Sequence, residues 1–211
     1  MNDLPVRIRP AVLDDLDVVV SLIRLSMGEE LDWLFGQEKD YPTESVMGAL
    51  FIRKGNRLSH EICWVIEELG KVVGALVAFP GRMMRRLDVQ TALHLVSIFG
   101  FSATMRLVQR QPLYGDLVEA EADEFYLSNL AVFPDCQGRG IGSAMLNYAD
   151  KLAQAGGLKK CSLLVTFGNP ARRLYERAGY RLVQTYAFSH PMIADGSGGF
   201  YRMVKDLNAS S

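Results

Sequence analysis

Residues 137–143, Gln-Gly-Arg-Gly-Ile-Gly-Ser, place glycine at 138, 140 and 142 directly in front of a helical pattern. Exposed backbone N–H groups at a helix N-terminus form a concave donor set carrying about half a positive charge. Such a set holds phosphate or diphosphate without any side-chain cation. Glycine at alternate positions removes the Cβ atoms that would keep an anion off the main chain. Three ligand readings compete for the turn. A Walker A loop needs Lys after its last glycine, and Ser143 follows Gly142 here. A dinucleotide fingerprint needs G-x-G-x-x-G and an acid closing the next strand; Ser143 fills the third glycine position and that strand closes on Thr166-Phe167. The third pattern is Q-x-x-G-x-G after a strand ending L-A-V-x-P. The turn alone also fits a helix start that binds nothing.

The elements that must hold this turn can be read on either side of it. A strand is expected over Phe125–Val132, ended by Phe133-Pro134-Asp135, and a helix over Ser143–Ala155. Ile141, Met145, Tyr148, Ala149 and Leu152 follow helical spacing, and Gly156-Gly157 stops the run. Lys160–Val165 reads as a strand. Asn169-Pro170 supplies a cap followed by proline at the first helical position, opening a helix that ends at Gly179. Strands at Tyr180–Ala187 and Phe200–Lys205 flank a loop rich in Gly, Ser and Asp. Upstream, Val6–Arg9 alternates as a strand ended by Pro10. A helix then runs from Asp14-Asp15-Leu16 to a stop at Gly28, and a second covers Thr43–Phe51 with Thr43 as N-cap. Glu61–Glu67 and Val72–Phe79 form a hairpin about Leu69-Gly70-Lys71. Residues 80–115 differ in character: Arg82, Arg85, Arg86, Arg106 and Arg110 face only Asp88, and two short helices, Asp88–Phe99 and Ser102–Gln109, break at Gly100. The order predicts one α/β domain over 1–211, a mixed sheet flanked by helices, with a helical insertion at about 80–115.

Composition narrows the class. The chain has 211 residues, enough to bury a substantial core, with 49% hydrophobic and 22% charged residues. Lys plus Arg number 23 against 24 Asp plus Glu, a net charge of −1, so no global field draws it to nucleic acid or anionic lipid. No apolar run approaches the roughly 18 residues of a membrane span. Cys63, Cys136 and Cys161 are odd in number and widely spaced, which fits neither a disulfide framework nor a zinc site and suits a reducing cytoplasm. No signal peptide is visible and no metal site is expected. The histidines, His60 before a strand, His94 in the insertion and His190 in a loop, read as structural.

Asn129-Leu130-Ala131-Val132-Phe133-Pro134 followed by Gln137-Gly138-Arg139-Gly140-Ile141-Gly142 closely resembles the acetyl-CoA motif of the GNAT acetyltransferase superfamily. Asn169-Pro170-Ala171-Arg172-Arg173-Leu174-Tyr175-Glu176-Arg177-Ala178-Gly179-Tyr180 is similar to that family's second motif, with Asn169 one residue nearer the tyrosine than the family spacing. Ile8-Arg9-Pro10-Ala11 with Asp15 resembles its first strand and helix. The likeness is most specific over 125–183 and absent over 80–115. It implies a mostly antiparallel sheet and an N-acetyltransferase that moves acetyl from acetyl-CoA to a primary amine of a small molecule or peptide, by direct attack in a ternary complex.

The resemblance also implies roles. Main-chain N–H groups from Gln137, Gly138, Arg139, Gly140, Ile141, Gly142 and Ser143 would meet the diphosphate. Leu130, Ala131 and Val132 would pair with the pantetheine arm, the Val132 N–H facing the thioester oxygen where charge grows. Asn169 and Arg173, with Arg172 beside it, are candidate cofactor contacts. Tyr175 is the candidate acid for the departing thiolate, although its helical spacing with Ala171, Leu174 and Ala178 equally fits a core tyrosine. An alkylammonium of pKa ~10.4 must lose its proton before attack. Glu119, Glu121, Asp123 and Glu124 form the pool of bases. Glu124 is the choice because it borders the strand presenting the thioester, with Tyr126 and Ser128 on its face by period two. Met83, Met84, Phe99, Phe101 and Met105 suit an apolar acceptor pocket, ordinary core, or the seam of a homodimer. A non-catalytic acyl-CoA-binding module remains the alternative function.

Overall fold

The computed structural model describes residues 6–27, 42–110, 117–189 and 197–208. The expectations placed on Gly28, His190, residues 111–115 of the insertion and the loop over 190–196 lie outside these residues. Seven strands form one sheet: β1 (Val6–Pro10), β2 (Cys63–Glu68), β3 (Lys71–Pro80), β4 (Glu124–Val132), β5 (Lys160–Thr166), β6 (Arg181–Ser189) and β7 (Ser197–Asp206), in the order β1-β2-β3-β4-β5-β7-β6. Every pairing is antiparallel except β4 with β5. The helices are α1 (Leu16–Met27), α2 (Thr43–Phe51), α3 (Met84–Phe99), α4 (Phe101–Arg110), α5 (Ile141–Ala155) and α6 (Arg172–Arg177).

Two cores lie on opposite faces of the sheet. Val19, Leu22 and Ile23 of α1 and Val46, Met47 and Leu50 of α2 pack with Val65, Ala75, Val77 and Phe79. Ile141, Met145, Leu146, Ala149 and Ala153 of α5 pack with Ile66, Leu76, Leu127 and Leu163. The alternation of Leu76 and Val77 between the two clusters is the pleat at work. It also explains why β3 reads as an unbroken apolar run: both faces are covered.

Local signals account for most boundaries. Asp15 accepts a hydrogen bond from the Val12 N–H at 2.8 Å and pairs with Arg9, whose Nε also meets Glu67; this ties β1 and β2 to the start of α1. Thr43 is the first helical residue of α2 and Pro42 stands at the cap, so Thr43 does not cap as expected. The insertion helices break at Gly100, whose φ of 80° no β-branched residue would tolerate, but α3 begins four residues earlier than Asp88. Pro80 faces Phe125 across the β3–β4 ladder, so the insertion leaves and re-enters a hairpin that is paired at its base.

Candidate active site

β4 and β5 pair only from Glu124–Lys160 to Leu127–Leu163, and beyond that point the two strands part. On its other side β4 carries a bulge: Val77 faces Asn129 while Ala78 faces Leu127, leaving Ser128 as the extra residue. The Phe133 N–H donates to the Val73 carbonyl at 3.0 Å. By strand alternation Leu130 and Val132 therefore turn their main-chain groups away from β3, into the gap. Gln137 Nε2 donates to the Val132 carbonyl at 2.9 Å, so one of those groups is taken by the turn's own side chain.

The glycine turn closes the gap at one end. Gly138 and Gly140 have φ of 73° and 84°, the left-handed region where a side chain is strained, and a Cβ at either would meet nothing within 4 Å. Gly140 is the N-cap of α5, and the first helical bond is Ala144 N–H to the Gly140 carbonyl at 3.0 Å. The N–H groups of Ile141, Gly142 and Ser143 thus have no partner within the helix, and all three residues line the cavity described below. The turn fits a diphosphate at Gly138 and Gly140, where open space takes the place of a Cβ and no cation is required; at Gly142 a Cβ would meet Leu174 Cδ2 at 2.9 Å, so that glycine serves the packing of α5 against α6.

A cavity of about 1170 Å³ runs from this turn past Val132 and Tyr175 to the insertion. Leu130, Ala131, Val132, Gln137, Gly138 and Gly140 line it, as do Ile141, Gly142, Ser143, Asn169 and Tyr175. Asn169 Oδ1 accepts the Ala171 N–H at 2.9 Å and so caps the turn before α6. Tyr175 is buried, lies edge-on to Tyr180 with ring centroids 6.0 Å apart, and burial pushes its phenol up to about 12. It is neutral at any physiological pH.

Three expected residues lie elsewhere. Glu124 does not line the cavity: its Oε2 accepts from Arg202 Nη2 at 2.5 Å and from the Glu121 N–H at 2.9 Å, with the side chains 3% and 8% exposed. The preference for Glu124 as base is therefore corrected, because a carboxylate locked to a buried guanidinium across β5 is not free to reach an acceptor. Arg139 turns its side chain to Glu68 on β2, leaving only its main chain at the turn. Arg173 is exposed and away from the cavity, while Arg177, one turn on and three residues after Leu174, lines it. That i+3 spacing was the available signal. Arg172 is engaged by Glu176 and lies over the Tyr201 ring at 4.5 Å.

The far end of the cavity holds a cluster that sequence reasoning missed. Arg57 donates to Glu119 through both terminal nitrogens, at 2.8 and 2.5 Å, and to Asp88 Oδ1 at 3.1 Å. Its guanidinium lies over the Phe79 and Tyr126 rings, at 5.6 and 6.0 Å. Burial works to raise the Glu119 carboxyl, but Arg57 overcomes it and holds the group below the ordinary range. Burial and the adjacent Glu119 charge drive the Tyr126 phenol far above its usual value. Of the four acids in the expected pool, Glu119 alone lines the cavity; Asp123 is exposed and paired with Lys160. The insertion contributes Asp88, Val89, Thr91, Ala92 and Leu95 of α3. Met83, Met84, Phe99, Phe101 and Met105 are not part of the lining: Phe99 is buried core with Met83 and Met84 packed against that core, and Phe101 is well exposed. Val118 exchanges main-chain hydrogen bonds with the Tyr186 hydroxyl, which pins the segment carrying Leu117 and Glu119. Among the described residues no group of His, Cys, Asp and Glu is arranged to hold a metal, and no helix is long and apolar enough to cross a membrane.

A model of the Acetyltransferase (GNAT) family matches residues 27–180. No curated protein matches the chain significantly. Among solved structures, an N-acetyltransferase from Staphylococcus aureus Mu50 is similar with a TM-score of 0.70 at 19% identity, over 94% of this chain and 99% of that one. A structure described as an acetyltransferase gives 0.66 at 21% identity, over 96% and 100%. The ribosomal-protein-S18-alanine N-acetyltransferase from Escherichia coli gives 0.57 at 15% identity, over 98% and 96%. At such identities the likeness speaks for the fold alone.

Proposed function

The chain belongs to the GNAT acetyltransferase family, and we propose that it is an acetyl-CoA-dependent N-acetyltransferase acting on a primary amine of a small molecule or peptide. The reading takes residues 1–211 as one catalytic domain, with 80–115 as its helical insertion. One observation carries it: a single cavity joins the main-chain donors at Gly138–Ser143 to the parted edge of β4, to Tyr175, and to an acceptor end walled by the insertion.

Acetyl-CoA supplies an activated acyl group on a thiol leaving group; the rest falls to this chain. The N–H groups of Gly138 to Ser143 hold the diphosphate, with Arg177 and Asn169 bordering the same end. The edge of Leu130 to Val132 offers main-chain groups to an amide-bearing arm. The Val132 N–H faces the thioester oxygen and stabilises negative charge that grows there as the amine attacks, a role for preorganised donors that removes several kcal/mol from such barriers. Tyr175 gives its proton to the departing sulfur; burial keeps the phenol protonated until it is called on. Direct attack requires both substrates together, and one continuous cavity lined by both the glycine turn and the insertion suits that order.

The test is thiol release from acetyl-CoA across a panel of amines, set against coenzyme A binding by calorimetry. Amine-dependent thiol release that falls sharply in Tyr175→Phe is expected. Tight coenzyme A binding with no release on any amine, and no effect of Tyr175→Phe, would instead mark a non-catalytic acyl-CoA-binding module.

A further inference from the structure

The acceptor end of the cavity has a charge balance that restricts what can enter it. Its one described cation, Arg57, is fully used: both terminal nitrogens bind Glu119, one also reaches Asp88, and the guanidinium lies over two rings. One arginine stands against one glutamate and one aspartate, so among the described residues this end carries a surplus negative charge. The surplus belongs to Asp88, which shares Arg57 with a better-placed rival. The remaining wall combines apolar Leu25, Leu50, Leu58, Val89, Leu95 and Leu117 with uncharged polar groups of Ser26, Thr91, Ser128 and Asn129, and none of these adds a cation.

Resting on the acetyl-transfer reading above, we propose that the acceptor is a primary amine on an apolar body that carries no anionic group, and that Asp88 receives its ammonium at the rim of the cavity. An acceptor carboxylate would lose water beside Asp88 and Glu119 and find no unpaired cation in exchange, which is costly. An ammonium arrives charged at neutral pH, since its pKa is ~10.4, and gains a charge-assisted hydrogen bond from an aspartate whose second oxygen has no protein donor among the described residues. Burial pushes the Asp88 carboxyl up, with Arg57 opposing and Glu119 adding, so the carboxylate is short of positive charge until a cation reaches it. Once seated, the ammonium lies next to a carboxylate able to take up its proton before attack.

Three probes separate charge from shape: 2-phenylethylamine, L-phenylalaninamide and L-phenylalanine, each titrated calorimetrically into the protein saturated with coenzyme A. The first two are expected to bind at least about tenfold more tightly than phenylalanine, whose carboxylate meets like charge. Asp88→Asn should weaken 2-phenylethylamine about fivefold, as for a half-exposed ion pair, and narrow its advantage over phenylalanine. The wild-type series decides the matter alone if that variant fails to fold. Phenylalanine binding as well as its amide, no binding by any of the three, or an unchanged affinity in folded Asp88→Asn overturns the inference. Amine binding of the expected order without thiol release from acetyl-CoA would support this recognition while overturning acetyl transfer, so the two readings fail separately.

Discussion

Arg202 on β7 and Glu124 on β4 form a buried ion pair across β5, the guanidinium Nη2 2.5 Å from the carboxylate Oε2. Seventy-eight residues separate them in the chain. The pair explains why an acid at the head of the strand that lines the cavity can be structural: it locks β4 to β7 where β4 begins.

Replacing Glu124 by Gln leaves Arg202 buried without its counter-charge. Loss of about 3–5 kcal/mol of stability is expected, the cost of breaking rather than removing a buried pair. Urea denaturation measures it. A Glu124→Gln protein with wild-type stability and a selectively collapsed kcat would restore the carboxylate to the role of base.

Tyr175→Phe keeps the ring against Tyr180 and removes the proton. A fall in kcat of about 10²-fold or more, with little change in KM for either substrate, is the signature of a lost general acid. Burial moves its ionisation to about 12, so the rate should show no alkaline fall near pH ~10, where a solvated phenol would titrate. Steady-state kinetics between pH 7 and 10.5 on the order of half-unit steps test this.

The resemblance of 125–180 to one family was legible because its motifs are local. A glycine turn, an Asn-Pro helix start and a tyrosine one turn later lie on consecutive elements, and their chemistry is mostly main-chain. The Arg57, Asp88, Glu119 and Tyr126 cluster was illegible for the opposite reason. A loop, a helix of the insertion, the segment before β4 and β4 itself each supply one member, with 62 residues between Arg57 and Glu119. The bulge at Ser128 left no mark either, since period-two counting runs straight through it. Counting put Tyr126 and Ser128 on one face with Glu124, but gave no hint of the bulge at Ser128 or that Arg202 would claim the acid.

Alkaline pH should weaken the fold before tyrosine chemistry begins. Burial raises the Cys63 and Cys161 thiols to about 12, the nearby Asp15 and Asp150 charges adding to the effect. In the unfolded chain a thiol titrates near ~8.5. Between those values the unfolded state has released protons that the folded state keeps, so this contribution is intact below pH ~8.5 and is lost as pH rises toward about 12. A slope on the order of 1 kcal/mol per pH unit for each thiol is expected, with Tyr175 joining above pH ~10. Urea midpoints at several alkaline pH values, with Cys63→Ala as comparison, report it; a flat profile would contradict burial of the thiols.

Gly140→Ala puts a methyl group at a positive φ and directly into the space offered to the diphosphate. Strain of roughly 1–2 kcal/mol is expected in stability. The larger effect should fall on coenzyme A affinity, a loss of about tenfold or more, equivalent to ~1.4 kcal/mol. Calorimetry separates the two, and retained affinity would mean that the anion lies elsewhere.

Gly81→Ala tests the base of the insertion. A Cβ there would stand 2.0 Å from the Glu121 carbonyl oxygen, a main-chain atom that cannot rotate away. The two strand ends must separate, at a cost of about 1–3 kcal/mol or more. Because Leu117 and Glu119 hang from the displaced segment, amine KM should rise while coenzyme A affinity holds; a thermal melt and the two KM values together decide it.

The near contact of Gly81 with Glu121 has an evolutionary corollary. A stretch that departs from a hairpin and returns to the same rung can be exchanged as a cassette, its length and composition drifting without disturbing the ladder beneath. Coenzyme handling, written in the sheet and the glycine bend, would then stay fixed while selectivity for the second substrate is renegotiated, one exchanged segment at a time.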